Sequence, residues 1–171
     1  MSSLHNSPFT SVVLAGGGNR CFWQAGFWTT AAPAIGLAPE VVTGVIAGAT
    51  FACAILADQV ETVLRHMKKV LAANRRNFYP GRLLTKDRVC PHYNIYRQAI
   101  LEFLDNRAVD RLRQGPEIRV LLTRPPRWAG PYLAVTLGFL AYTVERYLNN
   151  PLHPVYAGRL GFVPEVVSAR T

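Results

Sequence analysis

The chain has 171 residues, half of them hydrophobic and 17% charged, with a formal charge of +9. That length is one domain with room for a core, and the composition excludes both a disordered chain and one that is membrane-embedded throughout. Three cysteines, Cys21, Cys53 and Cys90, in no CxxC or Cys/His spacing, exclude a closed disulfide framework. A reducing, cytoplasmic setting is expected, with no cofactor. The start, Met-Ser-Ser-Leu-His-Asn-Ser-Pro, has no basic or apolar run, so no signal peptide is expected.

In chain order, residues 11–15 read as a buried strand and residues 19–32 as a helix stopped by Pro33. Residues 35–39 are a turn, 41–45 a second strand and 47–57 a very apolar helix. Asp58 is predicted to cap the next helix, which runs to about Asn74 with Val60, Val63, Leu64, Met67, Val70 and Leu71 at helical spacing. A basic loop covers 80–91, an amphipathic helix 95–106 and a short helix 108–114. Gly115-Pro116 breaks into a third strand at 117–123, ended by Pro125-Pro126. A helix is predicted for 131–148, a loop for 149–154 and a last strand for 163–167. Strands alternating with helices imply parallel βαβ units and an α/β fold with helices on both faces.

The positive charge is concentrated. Residues 65–97 hold nine basic residues against Asp87 alone, a net +8. Phe78, Tyr79, Tyr93 and Tyr96 interleave with these charges. A solvated helix face, an anionic membrane surface and nucleic acid all fit this pattern. The apolar stretch 130–144 is 15 residues long. It is short of the roughly 20 that span a bilayer, and reads as a buried or interfacial helix.

Two turns carry the chemistry. Gly16-Gly17-Gly18-Asn19-Arg20-Cys21 follows the first strand and opens a helix. Backbone N–H groups so placed hold an anion, either a phosphate or the oxyanion of acyl transfer. A dinucleotide site fits the first two glycines but meets Cys21 at the third position, and no acid ends the next strand. A P-loop is excluded because no G-K-[ST] follows. Gly44-Val45-Ile46-Ala47-Gly48 is then strand, sharp turn and apolar helix, the setting of a G-x-S-x-G nucleophile elbow with Ile46 where serine belongs.

Gly-Gly-Gly-x-Arg after a first strand, then a G-x-S-x-G-like turn 28 residues on, resembles the patatin-like phospholipase family. Leu14-Ala15, Gln24-Ala25-Gly26 and Thr43-Gly44-Val45 add to the resemblance. It implies a three-layer α/β/α fold with a mostly parallel sheet, and lipid acyl hydrolysis by a Ser–Asp dyad. It also implies that Gly16, Gly17 and Gly18 form the oxyanion hole, steadied by Arg20, and that Gly44 and Gly48 flank the elbow. Three positions depart from the pattern. Cys21 replaces a closing glycine, and Ile46 replaces the nucleophile. Asp58, Asp87, Asp105 and Asp110 are followed by Gln, Arg, Asn and Arg, never by the glycine of the family's dyad motif, which lies further downstream.

No other residue takes the nucleophile's place. Thr50 and Cys53 lie one and two helical turns past Ile46. Cys21 reads as structural, with a thiol pKa lowered by its helix start. His5, His66, His92 and His153 have no ligand spacing, so no metal is expected. The expectation is a hydrolase scaffold without a competent catalytic residue, acting at a lipid or membrane surface as a peripheral protein. The alternatives are a non-catalytic acyl-chain binder or a nucleotide-binding protein. Lys68, Lys69, Arg75 and Arg76 are the candidate contacts to anionic lipid, in preference to nucleic acid. The chain stops just after a predicted strand, so it is expected to be a single incomplete domain over 1–171, truncated at the C-terminus. Segments 47–57 and 130–144 would then be partly exposed.

Overall fold

A computed structural model describes residues 7–76, 79–85, 91–148 and 155–170. Its elements are β1 (Ser11–Leu14), α1 (Phe22–Ala34), β2 (Val41–Val45), α2 (Ala47–Leu56), α3 (Val60–Ala73), α4 (His92–Phe103), α5 (Asn106–Gln114), β3 (Glu117–Arg124), α6 (Pro131–Leu148), α7 (Val155–Arg159) and β4 (Val163–Ser168). The strands form one mostly parallel sheet in the order β1-β2-β3-β4, an α/β fold of the expected class. Strands β1 and β2 run parallel in a register that sets Ser11 opposite Val41 and Leu14 opposite Gly44. Both therefore end at the same edge of the sheet. The chain divides into two compact units, Met1–Val120 with Ser168–Thr171, and Leu121–Val167.

In the first unit the core gathers Leu14, Val42, Phe51, Ala52, Val63, Met67, Ile95, Ala99 and Phe103. Helix α2 packs on β1, β2, α1, α3 and α5. Its Gly48, Phe51, Ala52, Ala54 and Ile55 are buried. The expected exposure of 47–57 is thus wrong, because a helix that is apolar all round belongs in a core. The first strand also departs from expectation. Leu14 is buried but Val13 is 68% exposed, since alternate side chains of a strand at the sheet's edge face opposite ways.

Two helix ends correct the sequence reading. Pro33 does not stop α1 but lies inside its last turn. The stop is Gly36 at φ +62, with Leu37 N–H donating to the Ala32 carbonyl and Gly36 N–H to that of Pro33. This is a Schellman closure, which glycine enters without a Cβ clash. Asp58 does not cap α3. It sits at φ 58 and closes α2 the same way, donating to the Ile55 carbonyl while Gln59 donates to that of Ala54. The cap of α5 is Asp105, whose carboxylate accepts from Ala108 N–H at 2.7 Å, so that helix begins two residues before the expected Ala108. Pro80–Leu84, expected as loop, is a short 3-10 turn. Residues 86–90 and 149–154 of the expected loops lie outside the described residues.

In the second unit α6 occupies the predicted span. Among its described side chains only Ala134, Ala141 and Glu145 are buried, while Tyr132, Val135, Phe139 and Tyr147 are exposed. The buried alternative for 130–144 therefore fails. Glu145 accepts from the N–H of Ala157 in α7, a helix the sequence reading missed. Among the described residues no helix is long and apolar enough to cross a membrane.

Candidate functional site

The parallel pairing of β1 and β2 delivers both glycine turns to one edge of the sheet. A Cβ built on Gly16 would lie 3.1 Å from the Val45 carbonyl oxygen and 3.4 Å from Cβ of Ile46, so the two turns touch. Had the strands been antiparallel, the turns would lie at opposite edges.

The second turn is held by the absence of side chains. A Cβ on Gly44 would come within 2.3 Å of Cα of Ala49, and one on Gly48 within 2.1 Å of the Leu14 carbonyl oxygen. No real Cβ sits so close to backbone. These two glycines let the strand reverse straight into α2 and let α2 press on β1. Between them Ile46 adopts φ 52 and ψ −118 and is 77% exposed. That is the first corner of a type II′ turn, a conformation glycine favours. For a β-branched residue it is strained by about 1–3 kcal/mol. The backbone has the shape that lifts an elbow side chain clear of the sheet. The side chain it lifts is an alkyl group with no proton or lone pair to use.

The first turn is tied down by its neighbours. Residues Gly18–Cys21 form a 3-10 turn, with Arg20 N–H donating to the Gly17 carbonyl at 3.2 Å. The Ala15 carbonyl accepts from Gln24 Nε2 at 2.9 Å and from Cys21 Sγ at 3.3 Å. Gln24 is 3% exposed, and its Oε1 has no partner among the described residues. The sequence reading gave Gln24 no structural role. The usable signal was a lone amide between Trp23 and Ala25 in an apolar helix. Burial raises the Cys21 thiol pKa and outweighs the Arg20 charge that lowers it. The expected lowering is therefore wrong, because the thiol faces the core and not an open helix end. Cys53 is raised by burial as well. Both thiols are protonated at neutral pH.

Residues 12–164 match the family described as patatin-like phospholipase. The chain belongs to this family. No curated protein and no solved structure matches it. Of the described aspartates, Asp105 caps α5, Asp58 closes α2 through its backbone with its carboxylate 3.6 Å from Arg111, and Asp110 lies 3.5 Å from Arg113. Asp87 is outside the described residues. Thr50 lines a small apolar space beside the turns, with Gly18, Phe22, Ala47, Phe51, Met67 and Tyr96. Its volume is about 20 Å3, room for one water-sized group and far from an acyl chain. Among the described residues no cluster of three His, Cys, Asp or Glu side chains could hold a metal.

The basic stretch starts on α3 and continues past its end. Arg65, Lys68, Lys69, Arg75 and Arg76 are exposed, and none of the five forms an ion pair among the described residues. Arg82 instead stacks on the Tyr79 ring at 4.4 Å, and the Tyr79 hydroxyl donates to Asn74 Oδ1. That pair is internally satisfied. His66 contacts Glu102 and ties α3 to α4. Phe78, Lys86 and Arg88 lie outside the described residues.

Proposed function

We propose that this chain is a lipid acyl hydrolase scaffold in which the covalent step has been lost. The observation that carries the reading is Ile46. It holds the positive-φ corner of an elbow, with φ 52 and ψ −118, and exposes an alkyl side chain there. In the active form of such a site a serine hydroxyl attacks the ester carbonyl. The oxyanion is then met by N–H groups of the glycine turn and of the residue after the nucleophile. In this chain those donors belong to Gly17, Gly18 and Ala47, with Arg20 steadying the turn and Gly16 packed on Ile46. An isoleucine cannot attack, and its branched side chain occupies the space of the ester carbonyl. Donors without a nucleophile leave only a small residual rate over water.

The chain works against anionic lipid surfaces. Support comes from the five exposed, unpaired cations Arg65, Lys68, Lys69, Arg75 and Arg76, each worth on the order of 1 kcal/mol near such a surface before salt screening. The exposed apolar side chains of α6 are the kind that enter an interface.

A fluorophosphonate probe and a short-chain ester test the chemistry together. The natural chain should neither label nor hydrolyse ester above the buffer blank. Ile46→Ser alone should stay inert, because the chain brings no dyad aspartate to act as its base. Ile46→Cys, whose thiolate needs no such base, should be acylated at that cysteine by the short-chain ester. Ester turnover by the natural chain would overturn the loss of the covalent step. Failure of a folded Ile46→Cys chain to acylate there would overturn the assignment of elbow and donors. Co-sedimentation with vesicles tests the surface. Binding should require anionic lipid, weaken with salt, and fall on changing Lys68, Lys69, Arg75 and Arg76 to Ala. Equal pelleting with neutral vesicles, or tighter binding to duplex DNA, would contradict it.

A further inference from the structure

We propose that a second cavity of the first unit binds an anionic amphiphile with a carboxylate head and a hydrocarbon body, of the class of fatty-acid anions. The cavity has a volume of about 660 Å3 and is lined by Cys53 of α2, Val109, Leu112 and Arg113 of α5, Ile118 of β3, and Arg170. This volume falls in the range of small-molecule sites, unlike the 20 Å3 space at the glycine turns. Cys53 lies seven residues beyond Ile46, about 10 Å along the helix axis, so the two places are distinct. The inference does not rest on the reading of Ile46.

Apolar walls and two guanidiniums define the ligand. Arg170 forms no ion pair among the described residues. One of its nitrogens donates to the Gly115 carbonyl at 2.8 Å, which holds the head group in place. The acid whose field it feels is Glu117. That carboxylate is already engaged by Arg119 through two hydrogen bonds, at 3.0 and 2.9 Å, and accepts from Ser168 at 2.8 Å. Arg113 stands 3.5 Å from Asp110 in an exposed pair, which screening leaves weak. Two under-paired guanidiniums favour a planar carboxylate, which they can bind in bidentate fashion. Val109, Leu112 and Ile118 favour a hydrocarbon body. The Cys53 thiol, kept protonated by burial, behaves there as a small apolar group.

Cys53 also supplies the readout. Its alkylation by N-ethylmaleimide can be followed site by site by peptide mass spectrometry. Laurate below its micelle concentration should slow alkylation by about tenfold, while dodecanol and dodecyltrimethylammonium protect far less. Arg113→Gln with Arg170→Gln, both at exposed side chains, should remove the advantage of laurate over dodecanol. Val109→Trp should fill the cavity, slow alkylation without ligand and abolish any further effect of laurate. Unchanged or faster alkylation in laurate would overturn the proposal. Equal protection by all three amphiphiles would do so too, because it would show filling of apolar space without recognition of the anion.

Discussion

The two glycine turns touch, yet their glycines serve opposite ends. In the second turn Gly44 and Gly48 are glycine because backbone already stands where a Cβ would go, at 2.3 and 2.1 Å. In the first turn a Cβ on Gly17 would meet nothing nearer than 3.6 Å, and one on Gly18 nothing within 4 Å. The second turn is glycine-rich for packing. In the first, Gly16 packs on the second turn at 3.1 Å and Gly18 needs its φ of +57, but neither packing nor conformation explains Gly17. Bare backbone facing open space is what an approaching oxygen atom requires. The apex between the packing glycines is Ile46.

The largest effects should fall on the packing glycines. Gly48→Ala forces α2 off β1, and Gly44→Ala forces the start of α2 off the end of β2; each should cost more than about 4 kcal/mol, seen as loss of soluble protein or a collapsed urea midpoint. Next comes the anchor of the open turn. Gln24→Ala removes the amide donor to the Ala15 carbonyl and should cost about 2 kcal/mol in the same experiment. Gly18→Ala meets no atom but must keep φ +57, so it should cost only about 1 kcal/mol. Gly17→Ala, free of both constraints, should shift stability by less than about 0.5 kcal/mol. In an Ile46→Cys background Gly17→Ala should still slow acylation of that cysteine by a short-chain ester. A large stability loss at Gly17, or none at Gly48, would erase the distinction between the turns.

The elements near these turns were legible in the sequence for a physical reason. A β-branched run, a cluster of glycines and an apolar helix each restrict the backbone locally, so β2 and the start of α2 lie where expected. Both turns could be placed from residues alone, because their determinants are the residues themselves. The end of α1 was misread because Pro33 looks like a breaker, whereas a proline in the last turn follows an already formed helix and Gly36 supplies the reversal. Asp58 was misread for a related reason: its short side chain suits a cap, but its backbone was recruited to close α2. The state of Cys21 depends on which way its thiol faces, and that is a tertiary fact. The cavity around Arg113 and Arg170 joins residues more than fifty positions apart, with no local pattern to mark it.

The strained apex is the centre of the account, and Ile46→Gly reads it directly. The substitution removes a β-branched side chain from φ 52, relieving about 1–3 kcal/mol. Against this stand roughly 0.5–1 kcal/mol for the added freedom of glycine in the unfolded chain. Little burial is lost, since Ile46 is 77% exposed. Urea unfolding of the two proteins side by side should show Ile46→Gly more stable by about 1 kcal/mol, with an unchanged slope. A glycine variant less stable than the natural chain would mean that Ile46 is not held in a strained elbow, and would contradict the account.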